Sequence, residues 1–341
     1  MLKPRPNIKD VAQTAGVSTA TVSRALTQPD RLTDSTRERV LKAIRETGYR
    51  VNRAGRNLRT QRAGAILVQV PNLGNPFFSV ILSSIHKVLT EQGYAVLVID
   101  SQQFSDPDQA VADMMLNGTV DGLISLDGRL STSMAETLTR ANLNAHVVFC
   151  CEWSDSAALP SIRSDNALGT KLAVDHLVSL GHRKIAHVCG PEGNVLSAIR
   201  KQTFVQRCAE HGISVPPEWL ISGDFSLATG VAAADRLLEM QHRPTAIFCA
   251  SDEIALSFVS RLQQRGYSVP GDFSVVGFDD IDMSAFSQPA LTTIRQDRAS
   301  LGRLAADRLL ALLNSDDDPE TQALTFVPTE LIIRATTAPC H

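Results

Sequence analysis

Three times along this chain an apolar helical pattern stops at a glycine followed by an aromatic residue or a histidine: Gln92-Gly93-Tyr94, Leu180-Gly181-His182 and Arg265-Gly266-Tyr267. A glycine in that place serves as the left-handed cap of a helix, so each unit reads as helix, cap, strand. Apolar runs of strand length at 65–70, 94–99, 121–126, 146–151, 184–189, 246–250, 273–278 and 324–333 alternate with helical patterns. That alternation belongs to parallel sheets covered by helices on both faces. The roughly 280 residues from 64 onward are enough for two doubly wound subdomains. Ligands of such sheets bind beyond the carboxyl ends of the strands.

The first 62 residues are built differently. They hold 14 of the 33 Lys and Arg but only 5 of the 36 Asp and Glu, a net charge of +9 against −12 for the remainder. A basic segment on an acidic body is the electrostatic footprint of a module presented to a polyanion. A disordered basic tail would lack apolar periodicity, yet Ile8, Val11, Ala12 and Ala15 recur at helical spacing, and Val22, Ala25 and Leu26 resume it after Gly16-Val17-Ser18. Gly16 suits a turn and Ser18 a helix cap, the pattern of a helix-turn-helix. Thr33 and Asp34 signal a third helix that buries Val40, Leu41 and Ile44 and stops at Gly48. Any three-helix bundle shares that apolar pattern. The polar face of the second helix separates them, offering Ser18, Thr19, Thr21, Ser23 and Arg24: short hydroxyl side chains for phosphates, and a guanidinium suited to guanine O6 and N7.

At these residues the chain resembles the lactose-repressor (LacI) family. The likeness runs from Ile8-Lys9-Asp10-Val11-Ala12 through Thr21-Val22-Ser23-Arg24 to Thr36-Arg37, Gly48-Tyr49 and Asn52-Arg53. The resemblance implies that Thr19, Ala20 and Arg24 read bases, with Arg31 among the DNA contacts. It also implies that residues 52–63 form a hinge helix in which Asn52 caps, Arg56 meets phosphate and Leu58 wedges into the minor groove; a plain flexible linker is the other reading of that segment. It continues through Asn75-Pro76-Phe77-Phe78, Ser164-Asp165-Asn166, Gly181-His182-Arg183-Lys184-Ile185, Cys249-Ala250-Ser251-Asp252, Gly277-Phe278-Asp279-Asp280 and Pro289-Ala290-Leu291-Thr292-Thr293-Ile294. The implied architecture is an all-α helix-turn-helix head (1–51) and an α/β periplasmic-binding-protein-like core. One core subdomain would take 64–164 and 296–323, the other 165–295 and 324–341, with the chain crossing near 164, 296 and 324. The working form would be a homodimer on a palindromic operator in double-stranded DNA.

The segments after the strands are polar and aromatic: 71–78, Asp127-Gly128, Glu152-Trp153, Gly190-Pro191-Glu192, Asp224-Phe225, Ser251-Asp252 and Asp279-Asp280. Aromatic faces supply stacking area, and charged groups orient a ligand through its hydroxyls; for any one residue, core packing or helix capping is the competing role. By resemblance, Arg200 and Asp279 bind ligand hydroxyls, while Phe77, Phe78 and Phe225 pack on a base. Asn75, Trp153, Asn194, Leu196 and Asp252 complete the expected effector set. Purine-responsive members carry an arginine and a threonine where this chain has Asn194 and Leu196, which disfavours guanine and hypoxanthine. The likeness is strongest to a cytidine-responsive member, through Asp30 to Gly48, Gly223-Asp224-Phe225 and Glu330-Leu331-Ile332-Ile333-Arg334. A nucleoside effector follows from that resemblance, as does the cyclic-AMP receptor protein as a neighbouring regulator. A sugar effector remains open, since Arg200 and Asp279 would serve a pyranose as well.

Dinucleotide, P-loop and nucleophile-elbow motifs do not occur, so an enzyme acting on nucleosides has no support beyond the shape of the core. Cys150 and Cys151 adjoin without a C-x-x-C, and His182 and His187 fall at a cap and in a strand; neither a metal nor another cofactor is expected. With no apolar run long enough for a signal peptide or a membrane span, a cytoplasmic protein is expected.

Overall fold

The computed structural model describes residues 6–49, 62–143, 146–154, 159–314 and 324–340, in two compact units that divide after Arg62. In the first unit, helix α1 (Ile8–Ala15) starts from Asn7, whose side chain accepts the Lys9 N–H at 2.8 Å while the Asp10 carboxylate accepts the Asn7 N–H at 2.8 Å. The helix ends at Gly16 with φ +63°, a conformation that costs any L side chain energy. Ser18 then caps α2 (Thr19–Thr27), its Oγ accepting the Thr21 N–H at 3.1 Å. A 3-10 turn (Pro29–Arg31) leads to α3 (Asp34–Thr47). Val11, Ala12, Ala15, Val22, Ala25, Val40 and Ala43 form the core the three helices share.

The second unit holds two six-stranded sheets. The first contains β1 (Ala65–Val70), β2 (Ala95–Asp100), β3 (Gly122–Ser125), β4 (Val147–Cys150), β5 (Ser161–Ser164) and β11 (Leu324–Val327), in the order β11-β5-β4-β3-β1-β2. The second contains β6 (Ile185–Val188), β7 (Leu220–Ile221), β8 (Ala246–Cys249), β9 (Ser274–Asp279), β10 (Thr292–Gln296) and β12 (Thr329–Ile332), in the order β12-β10-β9-β8-β6-β7. Every pairing is parallel except β10 with β12. Each sheet therefore reverses its winding once, between β1 and β3 and between β6 and β8, and the crevice beyond those strand ends is where such a fold takes a ligand.

Helices cover both faces. In the first lobe Ile81 and Ile85 of α4 (Phe77–Glu91) pack with Leu301, Ala305 and Leu309 of α12 (Arg298–Asn314). The other face carries α5 (Pro107–Leu116) and α6 (Thr132–Arg140), with Val111, Met115, Met134 and Leu138 in the core. In the second lobe α7 (Asn166–Ser179) and α8 (Val195–Glu210) bury Val174, Leu177 and Phe204 on one face. There α9 (Leu227–Glu239) and α10 (Asp252–Gln264) bury Leu237, Ile254 and Phe258 on the other. The short α11 (Asp282–Phe286) follows β9.

The chain passes between lobes after β5, after β10 and at Pro328. The expected third crossing at 324 is corrected by this topology: Leu324–Val327 pairs with Ser161–Ser164 in the first sheet, and only Thr329–Ile332 belongs to the second. Pro328 has no N–H to give either ladder and divides one apolar run into two strands. The crossings are tied together, with the Asp165 N–H on Val327 O at 3.0 Å and the Thr329 hydroxyl on Asp165 O at 3.1 Å.

Candidate functional site

On α2 the buried face is Val22 and Ala25, which leaves Thr19, Ala20 and Arg24 exposed, with Thr21 and Ser23 half-buried beside them. The Ser18 and Thr21 hydroxyls lie 2.9 Å apart and share in the cap, so they hold the start of the helix in shape. Arg31 is exposed on the turn before α3. Asn52, Arg56 and Leu58 lie outside the described residues.

In the core unit a cavity of about 710 Å³ opens at the carboxyl ends of both sheets, between the lobes. Asn75, Phe77, Phe78, Trp153, Asn194, Leu196, Arg200, Phe225 and Asp279 all line it, brought together from five separate segments of chain. Asn75 accepts the Phe77 N–H at 2.8 Å, and the Phe77 and Phe78 rings meet edge to face at 5.1 Å. The Arg163 guanidinium lies 3.7 Å over the Trp153 ring. Phe225 has φ +67° and sets its ring where a Cβ on Gly190 would come within 2.3 Å of it, so the aromatic wall depends on a glycine beneath it.

Arg200 is buried, with its Nε on Asn166 Oδ1 at 2.9 Å, its Nη1 on the Ala250 carbonyl and its guanidinium 3.8 Å over the Phe278 ring. Burial draws its pKa down against the pull of Asp279. The Asp279 carboxyl accepts Gln296 Nε2 at 2.7 Å, and burial raises it to about 6 although Arg200 opposes the shift. A buried donor and a buried acceptor thus face the same space, an arrangement suited to the hydroxyls of a neutral ligand.

Asp252, expected among the ligand contacts, does not line the cavity. It is fully buried behind the wall, accepting the Ile281 N–H at 2.9 Å, the Ser284 hydroxyl at 2.6 Å and the Thr293 hydroxyl. Burial and the nearby Asp279 charge push its pKa up to about 8. Its work is to tie α10 to the segments after β9 and in β10.

The matches to known proteins agree with this anatomy. Residues 7–52 match the family of bacterial regulatory proteins, lacI family, and residues 174–337 match the periplasmic binding protein-like domain. The HTH-type transcriptional repressor CytR of Escherichia coli (strain K12) is 38% identical over 330 residues, covering 97% of this chain and 96% of that protein. The chain belongs to the LacI family. This LacI-family member is a DNA-binding transcriptional repressor, as its relatives are, and not an enzyme. A crystal structure of the lac repressor dimer bound to operator and the anti-inducer ONPF superposes with a TM-score of 0.86 at 30% identity, covering 98% of this chain and all of that one. A LacI family transcriptional regulator from Enterococcus faecium with bound ribose gives a TM-score of 0.71 at 30% identity over 81% of this chain and 100% of its own.

Several lining groups of this repressor lie outside the effector set expected from sequence, some of them within the strand-end segments noted there. Glu152 accepts the Gly128 N–H at 3.2 Å and a hydrogen bond from the Asn194 side chain, which joins the two lobes across the cleft. Burial lifts its carboxyl above the ordinary range. Arg129 grips Asp127 through Nε at 3.0 Å and Nη2 at 2.8 Å; burial raises the Asp127 pKa, but the arginine's bonds and charge leave it below the usual value. Gln102, Glu192, Asp224, Glu253 and Gln296 also line the cavity. Among the described residues no helix is long and apolar enough to cross a membrane, and no cluster of three or more His, Cys, Asp or Glu could hold a metal ion.

Proposed function

We propose that this LacI-family repressor binds a palindromic operator as a homodimer in the cytoplasm and is controlled by a nucleoside, cytidine first among candidates, taken up between its lobes. One observation carries the reading: a cavity of nucleoside size that sets the Phe77, Phe78 and Phe225 rings beside the buried Arg200 and Asp279. The aromatic faces would stack on a pyrimidine, while the guanidinium and carboxylate would donate to and accept from the ribose hydroxyls. The 38% identity to a protein called CytR supports it. Control follows if the ligand binds one lobe arrangement better than another, since differential affinity alone can shift the heads between states.

On DNA, Thr19, Ala20 and Arg24 would face base edges, Arg24 pairing with guanine; Ser18, Thr21, Ser23 and Arg31 would set the backbone register. Asn52, Arg56 and Leu58 would form the minor-groove hinge, with Leu58 wedged between base steps. A neighbouring regulator such as the cyclic-AMP receptor protein belongs to the same reading. The relative with bound ribose favours a second reading, a free sugar on Arg200 and Asp279. Calorimetric titration of the full chain with cytidine, adenosine, hypoxanthine and ribose tests both: a saturable response to cytidine that also alters operator affinity is expected, and a response to ribose alone would overturn the nucleoside.

A further inference from the structure

Five of the side chains lining the cavity are carboxyl groups, Glu152, Glu192, Asp224, Glu253 and Asp279, and two are guanidiniums, Arg129 and Arg200. Both guanidiniums already hold partners of their own. Arg129 is clamped on Asp127, and Arg200 bonds Asn166 and the Ala250 carbonyl opposite Asp279. Asp224 is held ionised, its carboxyl kept below the ordinary range by hydrogen bonds from Ser226 and Thr229.

The other source of positive potential in such a crevice is the helix N-termini that point into it. Here those ends have spent first-turn N–H groups on their own side chains. Asn75 takes Phe77 N–H, Asn194 takes those of Leu196 and Ser197 at 2.9 and 3.1 Å, Ser226 takes that of Thr229, and Ser251 takes that of Ile254. The cavity is rich in acceptors, and the helix ends that border it are capped by their own side chains.

We propose that the cleft discriminates by phosphorylation state, admitting a free nucleoside and rejecting its 5′-phosphate. The claim rests on the nucleoside reading for its choice of ligand, but its physical basis, a surplus of fixed negative charge, applies equally to a sugar and its phosphate. A dianionic phosphate would meet this surplus of like charge with Arg129 tied to Asp127 and Arg200 facing Asp279, whereas the hydroxyls and amino group of a nucleoside supply the donors the carboxylates need. The pool this repressor senses is then one that phosphomonoester hydrolysis or uptake fills and that phosphoryl transfer to the 5′-hydroxyl drains.

The test is calorimetric titration of the full chain with cytidine, cytidine 5′-monophosphate, ribose and ribose 5-phosphate. Cytidine should bind at least about a hundredfold more tightly than its monophosphate, and the Glu192→Gln/Glu253→Gln double variant should narrow that gap by about tenfold. Monophosphate binding within about threefold of cytidine would overturn the exclusion and leave the nucleoside reading intact. Binding of ribose but of neither nucleoside form nor ribose 5-phosphate would end the nucleoside reading while upholding the exclusion. Equal binding of ribose and ribose 5-phosphate would overturn the exclusion.

Discussion

The head and the proposed effector cleft are built on opposite electrostatic terms. The head exposes Arg24 and Arg31 on a three-helix scaffold whose small core is mostly Ala and Val. The cleft buries Arg200 and Asp279 inside a much larger α/β body and lines itself with an excess of carboxyl groups. A polyanion met at the surface calls for exposed donors on a simple support. A small neutral ligand calls for desolvated groups whose own partners fix them in advance. On the proposed reading, the charge asymmetry between the two parts of the chain suits two ligands of opposite character.

The largest break in that comparison should come from Arg200→Ala, which leaves Asp279 buried without its cation and removes the stack on Phe278. A loss of about 3–5 kcal/mol in core stability is expected, read by urea unfolding, together with loss of the effector response. Gly190→Ala forces a methyl group against the Phe225 ring and should weaken effector binding by about 1–3 kcal/mol, with operator affinity of the unliganded protein unchanged; an equal loss in both assays would mean that the two regions are not separable. Arg24→Ala makes the mirror-image change. It should cost about 1–3 kcal/mol in operator binding and relax one base position, while calorimetry of the effector shows no difference.

A smaller effect comes from pH. Asp252 has its folded pKa raised to about 8, so the folded core holds a proton that the unfolded chain gives up, and stability falls as pH rises towards 8. His187, lowered to about 4 by burial, acts in the opposite direction but only below its ordinary 6.5. Between about 6.5 and 8 the core should therefore lose up to about 1.4 kcal/mol per pH unit, and Asp252→Asn should flatten that slope. An unchanged slope in the variant would show that another group titrates there.

What could be read from sequence was local. Gly16 and Ser18 act within three or four residues of themselves, so the head followed from its own pattern, and the strand ends bordering the cleft followed from alternation and glycine caps. Asp252 was misassigned because its partners Ile281, Ser284 and Thr293 lie 29 to 41 residues away, and only folding reveals that they enclose it. Glu152 was noted only within a strand-end segment and given no role, for the same reason: Gly128 lies 24 residues before it, and Asn194 comes from the other lobe. Pro328 was visible in the apolar run at 324–333, but its role depends on two sheets competing for the flanking residues.

The placement of β11 has a consequence for how the chain is made. The second lobe owns an unbroken stretch from 165 to 296, lacking its edge strand β12 and the residues after it that bond Val275 and Thr292, and can begin to assemble while synthesis continues. The first lobe begins earlier yet lacks α12 and β11 until residue 327 has left the ribosome. The lobe that is translated first is therefore completed only after most of the second has been made, and during that interval Ile81, Ile85 and their neighbours wait for the helix that will cover them.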